Sequence, residues 1–343
     1  MISNISKIEK IRVSIGSAAV LGLREVKVDT YPTTCYMMTY TDTQCIGRCS
    51  FCPQASGTDK KYSDSLSRVQ WPVFDWNTIL TKLEFNQKAA NSLQFKRICI
   101  QVLNYRGFYS DVNCIIKKIH EKFPKLKIST AIPPIPSKKM QQLHSNGLER
   151  IGIALDACDP SLFAEIKGPN NHGPYSWKKH WKALEEALKI FGKGKVTTHL
   201  IIGLGESEEE MIQSLQKIIQ KDILPGIFLF TPIKGTPMAT KKRPAIEIFR
   251  RIQLARFLLL ENPLNFSRFV FKTGKLYKIK DLSENELLAL INKENPFLTA
   301  GCPDCNRPNY TYRPGEEASG FPRPLTSDEK VKIYSELKSL LTS

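Results

Sequence analysis

The sequence predicts an α/β fold, a parallel (β/α) barrel of six to eight strands with short N-terminal and C-terminal extensions. Three observations carry this. Short runs rich in β-branched and other apolar residues recur along the chain. Stretches of helical periodicity separate them. The runs are continuously apolar rather than alternating, as expected for strands covered on both faces.

In chain order, the expected strands are 36–40, 97–104, 127–133, 150–157, 196–205, 226–233, 268–274 and 296–302. The expected helices are 77–90, 111–122, 137–145, 176–192, 208–221, 245–261 and 283–292. Several helices carry readable start signals, among them Pro244 near the first turn of the 245–261 helix, where its missing N–H costs little. Ser207 followed by Glu210, and Ser283 followed by Glu286, have the spacing of a capping box. The expected organisation is an extension over 1–34, the barrel over 35–302, and an arm over 303–343. Residues 303–326 of that arm are rich in Pro, Gly, Arg and Tyr, which reads as an ordered lid.

Lys7, Lys10 and Arg12 precede an apolar stretch over 13–23, but Ser14, Gly16 and Ser17 break it. No run has the length of a membrane span, so a cytoplasmic protein is expected. Nine clustered cysteines point to metal binding rather than to a disulfide framework. The net charge of +17 favours an acidic partner. The positive residues are spread along the chain and no RNA-binding motif accompanies them, so nucleic acid is not the expected partner.

The sharpest motif is Cys45-Ile-Gly-Arg-Cys49-Ser-Phe-Cys52, directly after the first expected strand. Gaps of three and two residues let one loop wrap three thiolates around a cubane iron–sulfur cluster, whose soft iron prefers thiolate. Three protein ligands for four irons leave one iron open to chelate a substrate. The loop leaves the C-terminal end of a strand, the face where barrels place their chemistry. Gly47 suits the tight turn such a loop needs. Zinc would call for a fourth ligand.

This motif, with Phe51 as its aromatic, resembles the signature of the radical S-adenosylmethionine (SAM) superfamily. The stretches His199–Glu206 and Phe230–Met238 resemble that family's fifth-strand and sixth-strand motifs. The resemblance implies a [4Fe–4S] cluster on Cys45, Cys49 and Cys52 that binds S-adenosylmethionine and yields a 5′-deoxyadenosyl radical. It implies that Ile201 packs near the adenine. It assigns the amino group to the end of the second strand, where Asn104 stands in place of the usual Gly-Gly-Glu.

A second pair, Cys302 and Cys305, opens the arm. An auxiliary iron–sulfur cluster, a zinc site or a redox dithiol could use it. The candidates for a third ligand, in order, are Cys158, Cys99 and Cys35. Ser319, Arg307 or an open position completes the set. Cys114 is expected to be structural. Ile153–Asp156 together with Leu162–Gly168 resembles biotin synthase, but that enzyme's three strand cysteines are matched here only by Cys99, with Thr130 or its neighbours and Thr197 at the other places. The chain is more similar to the archaeal-type two-protein lipoyl synthases through Pro32–Thr34, Tyr36–Tyr40, Cys52–Ala55, Ser67–Pro72, Cys302–Tyr310 and Phe321–Pro324.

That resemblance implies sulfur insertion into an octanoyl chain on an acidic carrier protein, with the auxiliary cluster as sulfur donor. It also implies a second radical SAM protein as partner, and a reductase or ferredoxin as electron donor. Lys234 is a candidate for the carrier-docking rim. The alternatives are a biotin-synthase-like or methylthiolating radical enzyme, and a non-catalytic iron–sulfur scaffold.

Overall fold

The computed structural model describes residues 8–89, 94–313 and 315–341. Lys7, Ala90 and the outermost residues of both extensions therefore lie outside the described residues. In chain order the elements are β1 (Lys10–Val13), α1 (Ile15–Val20), β2 (Thr34–Thr39), β3 (Ser65–Leu66), β4 (Val69–Gln70), β5 (Val73–Asp75) and α2 (Trp76–Lys88). They continue with β6 (Arg97–Gln101), α3 (Phe108–Lys122), β7 (Lys127–Ala131), α4 (Ser137–Ser145), β8 (Leu148–Gly152), α5 (Pro160–Ile166), α6 (Trp177–Phe191), β9 (Val196–Ile202) and α7 (Glu208–Gln220). The chain ends with β10 (Leu224–Leu229), α8 (Ile246–Glu261), β11 (Phe269–Lys272), β12 (Lys275–Ile279), α9 (Glu284–Lys293) and α10 (Ser327–Leu337).

One eight-stranded sheet runs in the order β10-β9-β8-β7-β6-β2-β1-β5. Its six consecutive strands from β2 to β10 pair in parallel. These are the first six expected strands, and their crossover helices lie where the periodicity put them. Strands seven and eight differ. Phe269–Lys272 pairs only with β12, as a separate hairpin. The stretch 296–302 forms no strand and touches Phe321 through a single bridge at Leu298. The sheet gains its remaining strands from β1 and β5, which add antiparallel beyond β2. The 1–34 extension therefore contributes to the barrel wall.

The helix ends follow their capping chemistry. Ser207 and Glu210 form a reciprocal capping box at α7. Ser283 caps α9 through the Glu286 amide alone. On the inner face, alternate residues of each strand point into the barrel: Tyr36 and Met38, Cys99 and Gln101, Arg150 and Gly152, Thr197 and His199.

The parallel sheet leaves a lateral gap between β2 and β10, and the arm fills it. On the β2 side, the Thr34 hydroxyl donates to the Asp304 carbonyl at 3.1 Å, and the Arg307 amide donates to the Tyr36 hydroxyl at 2.9 Å. On the β10 side, Tyr310 packs on Phe228 with ring centroids 5.5 Å apart, and Thr231 donates to the Thr311 carbonyl at 3.2 Å. Beyond this seam, Arg250 of α8 anchors the arm by donating to the Ser319 carbonyl and pairing with Glu317 and Glu336. Among the described residues, no helix is long and apolar enough to cross a membrane.

Candidate active site

The loop carrying Cys45, Cys49 and Cys52 sits at the C-terminal ends of the strands and is pinned from three directions. The Ile46 amide donates to the Asn104 carbonyl (2.7 Å), Ser50 to Ile166 (2.9 Å), and Met238 to Ser50 (3.2 Å). Inside the loop, Cys52 donates to the Cys49 carbonyl, and Ser56 donates to both Cys45 and Gly47. The Cys45 Sγ accepts from the amides of Gly47 (3.4 Å) and Asn104 (3.3 Å), the kind of donors that suit a thiolate. Burial pushes the Cys49 thiol up to about 12, with Asp156 and Cys45 adding to the rise and Lys167 opposing it. Burial, with Cys49 and Cys45 as charged neighbours, also raises Cys52 well above an ordinary thiol. Cys49 and Cys52, buried thiols that resist ionisation alone, suit a site where metal displaces the protons.

Gly47 has a different reason from the turn inferred above. Its φ is not positive, and an added Cβ would stand 2.7 Å from the Tyr175 hydroxyl. The glycine lets Tyr175 approach the loop. Asn104 Nδ2 donates to that same hydroxyl at 3.3 Å. Phe51 and Ile201 both line the cavity and pack against the apolar cluster of Ala157, Phe163 and Phe230. The turn after Ile201 is held by Glu206, whose carboxylate accepts from the amides of Gly203, Leu204 and Gly205.

A buried ion pair beside the loop carried no sequence signal. Lys167 Nζ donates to Asp156 at 2.7 Å and to the Ala154 carbonyl at 2.9 Å. Burial opposes its charge, yet Asp156 and the Cys49 thiol hold its pKa above that of an ordinary lysine. Asp156 itself sits at φ 66°, a left-handed conformation that turns its carboxylate into the barrel mouth.

The second cysteine pair lies at the opposite end. Cys302 and Cys305 occupy the barrel floor, where Arg97 at the start of β6 donates to the Pro303 carbonyl and Cys305 Sγ stands 3.3 Å from the Tyr36 hydroxyl. Cys99 joins them. Burial raises its thiol to about 12, and Cys302 and Cys305 are the next causes. Cys35 is close enough to Cys99 to be shifted by it, but packs fully buried in the core outside the barrel. The structure does not bring Cys158 to this pair. It follows β8 at the upper end, and its charged neighbours are Glu206, Asp159 and Glu210. The expected order placed Cys302 on the upper face, because it read 296–302 as a rising eighth strand. That stretch instead turns under the barrel. Ser319 is buried against Thr311, and Arg307 reaches the floor thiols.

One cavity of about 390 Å³ joins the two ends, lined by Cys45, Cys49 and Cys52 above and by Cys99, Cys302 and Cys305 below. The five residue steps from Cys99 to Asn104, whose amide touches Cys45, span at most about 17 Å of extended chain. Met38, Leu103, Phe228 and Leu229 give much of the lining an apolar character, with Gln101 and His199 as polar exceptions. Among the described residues, no three His, Cys, Asp or Glu side chains converge as ligands of a single metal ion.

Residues 41–218, just over half of the chain, match the family described as Radical SAM superfamily. Among curated relatives, the bacteriochlorophyllide c C-7(1)-hydroxylase of Chlorobaculum limnaeum is 27% identical over 106 residues, 31% of this chain and 26% of that protein. The ribosomal protein uS12 methylthiotransferase of Synechococcus sp. (strain JA-3-3Ab) is 22% identical over 210 residues, 61% of this chain and 44% of that protein. The chain thus spans less than half the length of either. Among solved structures, methylornithine synthase aligns with a TM-score of 0.51 at 18% identity, over 67% of this chain and 62% of that one, a likeness of fold.

Proposed function

The chain belongs to the radical SAM superfamily, and we propose that it inserts sulfur at an unactivated carbon of a protein-bound octanoyl chain, as one of two cooperating proteins in lipoyl synthesis. The observation that carries this reading is the cavity with a thiol set at each end and a mainly apolar lining. A hydrogen-abstracting site and a sulfur donor must both reach the same carbon, and an acyl chain fits between them.

A [4Fe–4S] cluster on Cys45, Cys49 and Cys52 supplies, when bound, the electron that cleaves S-adenosylmethionine to a radical able to attack an unactivated C–H bond. The chain's own residues orient and shield that event. Asn104 offers an amide oxygen to the amino group, and Phe51 and Ile201 offer apolar surface to the adenine. Lys167 offers a positive charge beside the loop. Cys99, Cys302 and Cys305 would hold the auxiliary cluster, in place of the set that included Cys158. Electrons would come from a reductase or ferredoxin.

The acidic carrier would dock at the upper rim. Arg68, Arg243 and Arg313 gather there around one carboxylate, Glu316, with Arg243 at 3.6 Å and Arg313 at 3.9 Å. Arg68 lies between Ser67 and Val69, which line the cavity, and Lys234 is exposed in the loop after β10. The likeness to a methylthiotransferase favours a second reading, methylthiolation of another macromolecule. Mass spectrometry of an octanoylated carrier peptide after turnover, with and without the partner, tests both. Sulfur on the acyl chain supports the proposal, and a peptide left unmodified with both proteins present refutes it.

A further inference from the structure

The floor of the barrel holds more positive charge than its protein partners balance. Arg150, Arg256 and Arg307 all line the cavity beside Cys99, Cys302 and Cys305. Arg97, their neighbour, is paired with Glu149 at 2.7 Å. Among the described residues, none of the other three has a carboxylate within ion-pair distance. Arg150 is 9% exposed and donates to the Gly194 carbonyl, while its Nε meets no acceptor. Arg256 donates its Nε to the Pro225 carbonyl at 2.7 Å, and burial followed by the repulsion of Arg307 lowers its pKa to about 10. Arg307 donates to the Ala300 carbonyl and lies 4.3 Å over the Phe228 ring, and its Nε too is buried without an acceptor.

Buried cations that meet only carbonyl oxygens or an aromatic face, with no carboxylate to balance their charge, are costly in a dry interior. Three guanidiniums converging on one chamber are retained at that cost only if the chamber holds an anion. Arg150 and Arg307 bear on the floor thiols: burial raises the Cys302 thiol, and Arg97, Arg150 and Arg307 are the charges that oppose the rise, while Arg256 stands beside Arg307 on the same cavity wall. A cluster bound by three thiolates carries net negative charge, and each one-electron reduction adds another.

We propose that Arg150, Arg256 and Arg307 form a cationic seat for an anionic iron–sulfur cluster held by Cys99, Cys302 and Cys305, and that they raise its reduction potential. This rests on the reading of the floor as an auxiliary-cluster site. The seat favours the reduced state because the added charge falls next to fixed guanidiniums in a medium of low dielectric. Among the described residues, the cation acting on the upper thiol Cys49 is Lys167, whose charge Asp156 already balances. The two clusters therefore titrate separately.

The test is a redox titration of the anaerobically reconstituted full chain, followed by electron paramagnetic resonance. Added S-adenosylmethionine perturbs the upper signal and so identifies the floor signal. Arg150→Gln and Arg256→Gln are expected to keep their iron. Each should lower the floor midpoint enough to change the reduced-to-oxidised ratio at least tenfold at fixed potential, about 59 mV for a one-electron couple. Arg150→Lys and Arg256→Lys should restore most of the shift, and the upper midpoint should not move. Retained iron with an unmoved floor midpoint overturns the seat, as does an equal shift in both signals. A wild-type chain with no floor signal overturns the seat and the auxiliary cluster together. The expected shifts without sulfur insertion into the octanoyl peptide would leave the seat standing and remove the lipoyl reading.

Discussion

The two thiol sites are built in opposite ways. The upper one lies within eight residues of one loop, and backbone amides next to the cysteines supply its immediate hydrogen bonds. The lower one is assembled from β6 and an arm some two hundred residues later in the chain, and the arm reaches it only by sealing the gap between β2 and β10. The upper site needs a loop and a place to stand. The lower site needs the whole barrel and its latch.

The largest expected effect tests the upper site alone. Cys45→Ala, Cys49→Ala or Cys52→Ala should each abolish formation of 5′-deoxyadenosine in the reduced, reconstituted chain, because each thiolate fixes one iron. Product at the wild-type rate from the triple variant would end the assignment. The next effect separates the sites. Wild type should hold about eight irons if both clusters are of the four-iron type. Cys99→Ala, or Cys302→Ala with Cys305→Ala, should lose about half of that iron and all sulfur insertion, while cleavage of S-adenosylmethionine continues. Cys158→Ala should keep the full complement. Half the iron lost from Cys158→Ala, with Cys99→Ala unchanged, would reverse the ligand assignment drawn from the geometry.

This difference explains what could be read from the sequence. The Cys45–Cys52 spacing is local, so its chemistry was legible before any fold was known. The six parallel strands were legible too, because each is a mostly apolar run with a stretch of helical periodicity between it and the next. The run 296–302 has the composition of a strand, but β1 already pairs with the outer side of β2, and the run joins neither β2 nor β10 and passes beneath the barrel. That one misplacement carried Cys302 to the wrong end and with it promoted Cys158 over Cys99. The Lys167–Asp156 pair was invisible for the same reason. Its role depends on which loop the fold sets beside it.

A smaller effect concerns the upper rim. Arg68→Gln with Arg243→Gln should weaken binding of the octanoylated carrier severalfold, and binding to the wild type should fall as salt rises from about 50 to 300 mM, since exposed charges are screened over roughly 8 Å at physiological ionic strength. Cleavage of S-adenosylmethionine in the absence of carrier should change little. RNA binding would show a salt slope as well, so the deciding measurement is competition. RNA should fail to displace the carrier at comparable concentration.

The smallest effect probes the latch on which only the lower site depends. Glu336 of α10 pairs with Arg250 at 3.5 Å. Burial is the main cause that raises its pKa to about 7, with Arg250 opposing and Glu317 adding to the rise. A carboxyl whose folded pKa exceeds its unfolded value near 4.5 binds its proton more tightly when folded. Its contribution to stability is therefore complete below about pH 4.5 and is lost as pH rises to about 7. Partial solvent screening reduces the effect to on the order of 1 kcal/mol, or a few degrees in Tm. The Tm difference between wild type and Glu336→Gln should accordingly drift by that amount between pH 5 and pH 8, with wild type losing ground as pH rises. The amide protons of α10 should exchange faster at the upper pH after correction for intrinsic rates, and those of the Cys45–Cys52 loop should not. A flat Tm difference would free the arm from Glu336. Parallel loosening of the upper loop would show that the two sites share one latch, and the contrast between them would then be one of sequence distance rather than of mechanical independence.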